Sequence, residues 1–291
     1  LPPSPTRDGY TFEGWWTAAD GEQVTGETVV TNDVTYYAKW RGTTTVDDYT
    51  YTYSVLNGQA EIGASNAWTR AISPSPTGHV TVPSSLGGFL VVGIGDYAFY
   101  GLYSAHYKLE SVTIPNGVTR IGKRAFSGCP NLTDVTIPAS MAVVDNGAFS
   151  GCSNLKGVHI SNLVNWCQIT FVYSSNPLRQ AHELYLNGER VTRLAIPESV
   201  TAIGDDAFAG CSGLTEVMFP NSVTNIGNSS FMGCSGLMEL ALPSSVVKIG
   251  TWAFRGCSGL TEVEIPHGVK VIGGGVFLDC SSLTKITVEP G

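Results

Sequence analysis

Three glutamates at one position of a repeated pattern are the residues most suited to binding chemistry. They are Glu216, Glu239 and Glu262. Each is 23 residues from the next, and Glu264 lies two residues beyond the last. Like charges directly opposite on paired strands destabilise each other. Such a ladder therefore favours binding of a basic partner surface or a divalent cation. The alternative is that glutamate is a soluble residue on an exposed strand, bracketed by Arg193 and Lys285. In full, the predicted outward column comprises Ser111, Asp134, Gly157, Arg193, Glu216, Glu239, Glu262 and Lys285.

Two other places carry large aromatic side chains that could contact a ligand. Trp252 occupies a variable position where other copies of the pattern have arginine, aspartate or serine, so it either anchors an interaction or packs on the next coil. The second place is an insertion after Phe99. Its ring-bearing residues are Tyr100, Tyr103, His106 and Tyr107. An exposed loop of this kind suits carbohydrate or protein recognition. The alternative is a loop near the end of the array with ordinary tyrosine packing.

No motif typical of catalysis or metal binding occurs in the sequence. It contains no His-Glu-x-x-His, no phosphate-cradling glycine loop and no Gly-x-Ser-x-Gly elbow. The five histidines are scattered, and no Cys-x-x-Cys pair or cysteine–histidine cluster exists. His159 lies at a predicted outward strand position, where it could pair with a carboxylate across coils. We therefore expect no enzyme, no cofactor and no metal centre.

Composition and charge narrow the classes of partner. Apolar residues make up 43% of the chain and charged residues 14%, which is typical of a folded protein. The formal charge of −8 and the absence of a basic run argue against nucleic acid or an anionic membrane. No apolar stretch approaches the roughly 20 residues of a membrane span. We expect neither nucleic-acid binding nor membrane insertion.

A repeat of 23 residues organises most of the chain. Its unit is L-x-x-V-x-I-P-x-x-V-x-x-I-G-x-x-A-F-x-G-C-x-x. Phenylalanine and cysteine recur in it three residues apart, beginning with Phe126 and Cys129. A period of 20–29 residues rich in leucine, isoleucine and valine is typical of a leucine-rich solenoid. The sequence predicts a right-handed solenoid, mostly β with short helical or 3-10 turns, preceded by a small β-rich N-terminal segment.

Each recurring position has a physical reason. The V-x-I alternation predicts a short strand, and the following proline ends it because proline has no N–H for the ladder. The second apolar pair, as in Val118 and Ile121, predicts a second wall, and Gly122 permits a tight corner. The A-F-x-G-C segment predicts a turn that places phenylalanine and cysteine in the core. The cysteines are expected to be buried thiols, with disulfides between consecutive coils as the alternative.

Two segments depart from the repeat. Residues 161–196 form an expanded unit with 13 extra residues, and Asn187-Gly188 in it predicts a hairpin. We expect a helix–hairpin elaboration with its own small core. Upstream, strands over 49–55 and 59–62 joined by Asn57-Gly58 predict a hairpin that caps the first coil. No cap is visible after Val288, so the chain is expected to continue, and uncapped ends leave weak self-association open.

The unit I-P-x-x-V-x-x-I-G-x-x-A-F-x-G-C-x-x-L resembles the BspA-like class of leucine-rich repeats. The resemblance covers about residues 83–291, and the expanded unit is similar to a variant found in that class. It implies a secreted or surface-exposed protein of a bacterium or a parasitic protist. It also implies adhesion to host matrix proteins or to other cells. The family brings no catalytic residues.

Residues 1–42 resemble a different module. The pattern Gly9-Tyr10-x-Phe12-x-Gly14-Trp15, followed by Tyr37-Ala38-x-Trp40, is similar to the Listeria–Bacteroides repeat of the internalin B type. The resemblance implies a small β-rich spacer on a bacterial surface protein. The expected organisation is this partial module at 1–42, a capping hairpin at 43–82 and the solenoid at 83–291.

These observations favour a secreted or cell-surface module, bacterial in origin, that binds a protein or glycan through the faces of its solenoid. Extracellular-matrix proteins are among the expected ligands. The alternative is a structural spacer of a larger surface protein with no ligand of its own. An enzyme is the third hypothesis, for which the sequence supplies no constellation of reactive groups.

Overall fold

The computed structural model of the chain describes residues 2–17, 22–29, 34–63, 70–101, 107–173 and 175–290. The chain is a mostly-β solenoid of about eight turns with very little helix. The predicted solenoid is therefore confirmed. Its buried side chains form one continuous hydrophobic cluster along the stack of coils.

The N-terminal strands join the solenoid through a shared sheet. These strands are β1 (Thr11–Trp16), β2 (Gln23–Val24), β3 (Tyr37–Val46), β4 (Tyr49–Leu56), β5 (Gln59–Ile62), β6 (Ile72–Ser73), β7 (Thr77–Thr81), β8 (Ser85–Leu86) and β9 (Phe89–Ile94). Strand β3 pairs antiparallel with both β1 and β4, so the expected division at residue 42 falls inside a strand. Strands β4 and β5 form an antiparallel hairpin, and β5 pairs parallel with β9. Tyr51, Tyr53 and Val55 of β4 are buried in the common core.

The first regular coils each add one strand to two parallel ladders. Their strands are β10 (Lys108–Thr113), β11 (Arg120–Ile121), β12 (Asp134–Thr136), β13 (Val143–Val144) and β14 (Gly157–Ile160). The V-x-I strands continue the ladder from β7 through β10 and β12 to β14. The second strand of each coil continues from β9 through β11 to β13. The repeat length thus places each residue beside its equivalent 23 residues later.

The expanded unit forms the predicted helices and hairpin. Its elements are α1 (Leu163–Trp166), β15 (Thr170–Phe171), α2 (Leu178–Ala181), β16 (Glu183–Leu186) and β17 (Glu189–Arg190). Strands β16 and β17 pair antiparallel around Asn187-Gly188. The expectation of a separate small core is wrong, because Trp166, Cys167 and Leu184 belong to the main core. The reason is that β15 and β16 stay in register with β13 and β14.

New ladders begin after the expanded unit. The remaining strands are β18 (Arg193–Ala195), β19 (Ala202–Ile203), β20 (Glu216–Met218), β21 (Asn225–Ile226), β22 (Glu239–Ala241), β23 (Lys248–Ile249), β24 (Glu262–Ile265), β25 (Val271–Ile272) and β26 (Lys285–Val288). The five strands β18, β20, β22, β24 and β26 form a parallel sheet, which we call the C-terminal front sheet. The sheet of β7, β10, β12, β14, β16 and β17 is the N-terminal front sheet.

The repeated phenylalanines stack face to face through the core. Ring centroids are 4.9 Å apart for Phe99 and Phe126, and 5.4 Å apart for Phe231 and Phe254. These rings are fully buried. Because Phe126, Phe231 and Phe254 each stack on the equivalent ring in the coil before and in the coil after, these coils share one core.

The glycine of each I-G corner is needed for a reason other than the expected one. Gly250 does not adopt a left-handed φ, but a Cβ on it would lie 2.5 Å from the backbone nitrogen of Asn228 in the preceding coil. The left-handed conformation belongs instead to the residue two positions later, as in Trp252 with φ of 58°. Glycine at the corner therefore allows consecutive coils to approach, rather than allowing an unusual turn.

Candidate binding surface

The glutamates predicted to share a column do so on the C-terminal front sheet. Glu216 lies opposite Glu239, and Glu262 lies opposite Lys285. Glu264 belongs to the adjacent outward column, where it lies opposite Ala241. The alternation that buries Val217, Leu240 and Val263 points these acidic residues to the other face.

Basic residues at both ends of the column compensate two of its glutamates. Arg193 Nε lies 2.6 Å from Glu216 Oε2, and Lys285 Nζ lies 3.6 Å from Glu262 Oε2. Among the described residues, Glu239 and Glu264 form no ion pair. The repulsion between the glutamates is therefore weaker than the sequence suggests. The negative charge without an ion pair is that of Glu239 and Glu264.

The two unbalanced glutamates border a hollow above Ala241. Ala241 is exposed, and its side chain is only a methyl group, which leaves space above the sheet at this position. Its neighbours in the same column are Met218 on one side and Glu264 on the other. Glu239 lies two residues before Ala241 on the same strand and the same face. The hollow thus has an apolar floor, one thioether wall and two carboxylate walls.

A groove extends from this hollow along the sheet. Its larger part has a volume of about 910 Å³ and includes Met238, Glu262 and Lys285 in its lining. A smaller part of about 250 Å³ reaches Met218 and Glu216. The two parts share Glu239 and Ala241 in their walls.

The sequence interpretation missed the two methionines and the alanine. Met238 is 61% exposed and Met218 is 43% exposed. One sequence signal was present, because Met238 stands where the neighbouring coils carry Thr215 and Thr261. Thr215 donates its hydroxyl hydrogen to the carbonyl of Thr192, a bond that methionine at 238 cannot make. No pattern in the sequence identified Met218 or Ala241 as parts of a hollow.

The N-terminal front sheet carries a different, internally bonded set of side chains. His159 Nε2 lies 2.9 Å from Asp134 Oδ1, which confirms the predicted pairing of His159 with a carboxylate across coils. The His159 and Tyr185 rings stack with centroids 4.6 Å apart. The Tyr185 hydroxyl donates to Glu183 Oε2 at 2.8 Å, and Arg190 pairs with Glu183.

The predicted neighbour of Gly157 in the outward column is wrong. The sequence alignment of repeats placed Arg193 after Gly157, whereas the structure places Glu183 opposite Gly157. The expanded unit supplies β16 to this ladder, and Arg193 starts the next sheet. A Cβ on Gly157 would lie 2.9 Å from His159 Nε2, so glycine makes room for the bonded cluster.

Trp252 packs on the next coil, which is one of the two roles that the sequence left open. Its indole lies over Gly275 of the next coil, because a Cβ on Gly275 would lie 2.8 Å from Trp252 Cδ1. The side chain is nevertheless 45% exposed. Arg255 Cζ lies 5.7 Å from the indole centroid. Positive φ is common to this position of the repeat, as in Arg124 with φ of 52° and Ser229 with φ of 53°.

The expectation of an exposed tyrosine loop is wrong for the two tyrosines that are described. Tyr107 is 2% exposed, and its hydroxyl donates to the carbonyl of Phe99 at 2.6 Å. Burial raises the pKa of Tyr107 well above its usual value. Tyr100 is also buried and packs edge-on against Tyr97. Tyr103 lies outside the described residues.

The cysteines are buried free thiols, as expected for packing residues. The Sγ of Cys234 donates to the carbonyl of Phe208 at 3.3 Å, and Cys257 repeats the contact with Phe231 one coil later. Burial raises the pKa of Cys167 and Cys211 to about 12. The thiols of Cys167 and Cys211 therefore stay protonated and unreactive near neutral pH.

The described part of the chain has neither a cluster of metal-binding side chains nor a membrane-spanning helix. There, no group of three or more histidine, cysteine, aspartate or glutamate side chains is arranged to hold a metal ion. None of the helices found in the same ranges is long and apolar enough to cross a membrane.

Two family models match the sequence. The BspA type leucine rich repeat region matches residues 79–182 and 180–291. The Listeria-Bacteroides repeat domain matches residues 1–39. No curated protein matches the chain.

Several solved structures are similar to the chain. The leucine-rich repeat protein TpLRR of T. pallidum is 28% identical, with a TM-score of 0.46 over 80% of this chain and 88% of its own. A leucine-rich repeat protein from Bacteroides ovatus is 23% identical, with a TM-score of 0.49 over 84% and 76%. A leucine-rich cell surface protein from Faecalibacterium prausnitzii is 20% identical, with a TM-score of 0.35 over 86% and 95%.

Proposed function

The chain belongs to the BspA-type leucine-rich repeat family, and we propose that it is a non-enzymatic cell-surface or secreted module that binds a ligand through its C-terminal front sheet. Leucine-rich repeat proteins are typically non-enzymatic interaction or repeat modules. A bacterial, surface-exposed location is part of the proposal and rests on the two family matches.

One observation carries the choice of surface. The C-terminal front sheet combines a groove, two carboxylates without an ion pair among the described residues, and two exposed methionines. Methionine is adaptable and is frequent at binding surfaces. By contrast, on the N-terminal front sheet Asp134 pairs with His159, and Glu183 pairs with Arg190 and accepts a hydrogen bond from Tyr185.

The proposed ligand is a protein, with a glycan as the second class. Extracellular-matrix proteins are the first to test, because the family resemblance implies adhesion. Trp252 is a secondary candidate contact, since it is exposed beside Arg255 on another side of the coil. The division into a module at 1–42, a cap at 43–82 and a solenoid at 83–291 is part of the same proposal.

A spacer without a ligand of its own is the second candidate function. The observation that favours it is the shared strand β3, which pairs with β1 on one side and with β4 on the other. The solenoid and the N-terminal strands are thereby joined by backbone hydrogen bonds rather than by a flexible linker. Such continuity suits a rigid stalk.

Binding to an array of extracellular-matrix proteins and glycans separates the two functions. The purified chain is applied with and without calcium, because the acidic column also suggested a divalent cation. A specific ligand whose binding weakens on substitution of front-sheet residues supports the proposal. A chain that binds nothing on the array contradicts it and favours the spacer.

A further inference from the structure

We propose that the hollow above Ala241 receives an arginine side chain from an exposed segment of a partner protein. This inference rests on the proposed function and specifies the chemistry of its ligand. The ligand proposed for the C-terminal front sheet is thus a basic protein segment rather than a glycan or a metal ion.

Charge complementarity is the first argument. Along the outward column, Glu216 is compensated by Arg193 and Glu262 by Lys285. Glu239 and Glu264 have no such compensation from described residues, and both are exposed. Like charges close together raise the energy of the free protein, and a cation placed between them relieves that repulsion. The partner must therefore supply positive charge at this one place on the sheet.

The spacing of the two carboxylates fits a single planar cation. Glu264 lies opposite Ala241, and Glu239 precedes Ala241 by two residues on the same face. Diagonal neighbours of this kind have Cα atoms about 7–8 Å apart. A guanidinium group has five N–H donors in a fixed plane and can bond to carboxylates on two sides at once. Lysine has a compact ammonium group and matches two separated acceptors less well.

The apolar parts of the hollow match the rest of an arginine side chain. Ala241 provides a floor without obstruction, and Met218 lies directly beside it in the column. The methylene groups of arginine commonly lie along apolar surface while the charged end contacts polar groups. In this arrangement Met218 would contact the methylene groups of the arginine. Glu239 and Glu264 would bind its guanidinium group.

Met238, which lies in the wall of the groove beside the hollow, is further evidence for a binding site here. At the equivalent position of other coils, the hydroxyl of Thr215 donates to the carbonyl of Thr192 and that of Thr284 to the carbonyl of Thr261. Methionine gives up that bond and exposes an apolar side chain at the wall of the groove. Departures from a repeat's own stabilising pattern tend to mark functional positions. This departure lies next to Glu239, one of the two unpaired carboxylates.

The test uses a blocked pentapeptide, glycine–valine–arginine–valine–glycine, and its twin in which citrulline replaces arginine. Citrulline keeps the shape of arginine but is neutral. The full chain, labelled with ¹⁵N, is titrated with each peptide and the Kd is measured by NMR. The variants are the double substitution Glu239→Gln/Glu264→Gln and a control with the same charge change, Glu110→Gln/Glu198→Gln. Both control positions are exposed and lie outside the C-terminal front sheet.

The inference predicts that citrulline weakens binding at least about fivefold, as expected for loss of charge-assisted hydrogen bonds. It predicts the same loss for Glu239→Gln/Glu264→Gln and an unchanged Kd for the control. Met218→Ala is expected to weaken the arginine peptide about twofold through lost packing. The front-sheet double variant is expected to remain folded, because it removes charge from an exposed surface.

Two outcomes of the peptide titration would overturn the inference. One is equal binding of the arginine and citrulline peptides, or no binding of either. The other is equal loss in the double variant and in its charge-matched control, which would indicate a general field effect. If the array finds a ligand whose binding survives Glu239→Gln/Glu264→Gln, the arginine inference is wrong while the proposed function stands. If the array is blank but the peptides are discriminated, the adhesion function fails and the arginine site stands.

Discussion

The indole N–H of Trp166 donates a hydrogen bond of 2.8 Å to the backbone carbonyl of Ala207, 41 residues further along the chain. In a regular coil the equivalent carbonyl accepts from a backbone N–H, as Ala253 does from Phe231. Asn176 Nδ2 also donates to Ala207 and to the carbonyl of Asp206. Side-chain donors of the expanded unit therefore replace the backbone donors that a regular coil would supply.

This replacement predicts that Asn176 is important for stability. Asn176 is 2% exposed, and Asn176→Ala removes its bonds to two carbonyls and to the N–H of Leu178. Buried groups left without partners should cost about 2–3 kcal/mol in the free energy of unfolding. Urea denaturation measures this loss. Asn154→Ala, at an exposed position, should change stability by less than about 0.5 kcal/mol. Equal effects of the two substitutions would contradict the role of Asn176 as a donor between ladders.

The phenylalanine column predicts a position-dependent cost. Phe231 is fully buried and stacks with Phe208 and Phe254, so Phe231→Ala should destabilise by about 3–5 kcal/mol. Phe277 is half-buried and has one stacking neighbour, so the same substitution there should cost clearly less. Urea unfolding of both variants compares them directly. If Phe277→Ala were as damaging as Phe231→Ala, burial within the column would not explain the cost.

Two glycines at the corners of successive coils predict opposite outcomes. A Cβ on Gly250 would lie 2.5 Å from the backbone of the preceding coil, whereas a Cβ on Gly274 would meet nothing within 4 Å. Gly250→Ala should therefore destabilise by about 1–3 kcal/mol, because the coils must move apart. Gly274→Ala should be neutral or stabilise by up to about 1 kcal/mol, because it restricts the unfolded chain. Thermal or urea unfolding that fails to separate the pair would contradict the close-approach explanation.

The extent to which sequence anticipated the structure follows from the repeat. Positions such as Phe231 and Cys234 recur every 23 residues, so their shared buried environment could be derived from the pattern. The pattern also placed Gly250 at its corner, but the close approach of the preceding coil that requires glycine there could not be derived from it. His159 was also placed correctly, because strand alternation determines which side chains point outward. Wherever one coil resembles the next, the repeat period predicted which side chains are buried and which point outward.

The errors occurred where the period is interrupted. The neighbour of Gly157 was wrong because the expanded unit adds β16 to the ladder before Arg193. For the insertion that contains Tyr100 and Tyr107, the sequence left open an exposed loop or ordinary packing, and both rings pack inward. The hollow above Ala241 could not be predicted, because it depends on which residues adjoin it across strands and not on any one motif.

The buried thiols predict a loss of stability at alkaline pH. Burial raises the pKa of Cys167 and Cys211 to about 12, compared with about 8.5 in an unfolded chain. The folded state therefore holds these protons more tightly. Its stability is fully present below about pH 8.5 and decreases as pH rises towards 12. Urea midpoints at pH 7, 9 and 10 should fall in that order.

A cysteine variant tests the cause of that loss. Cys167→Ala removes one titrating thiol and should make the decrease between pH 8.5 and 10 shallower, although the variant is less stable at pH 7. An unchanged slope would show that other groups produce the pH dependence. A midpoint that stays constant or rises up to pH 10 would contradict protonated, buried thiols in the folded state.

The central claim is that the C-terminal front sheet is the binding surface. Its most direct test is binding of wild type, Ala241→Trp and Ser281→Trp to the same array of extracellular-matrix proteins and glycans. Ala241→Trp fills the hollow, whereas Ser281→Trp adds an equal side chain at an exposed turn. We predict that the wild type and Ser281→Trp bind the same ligand and that Ala241→Trp loses it. Full binding by Ala241→Trp would contradict the claim.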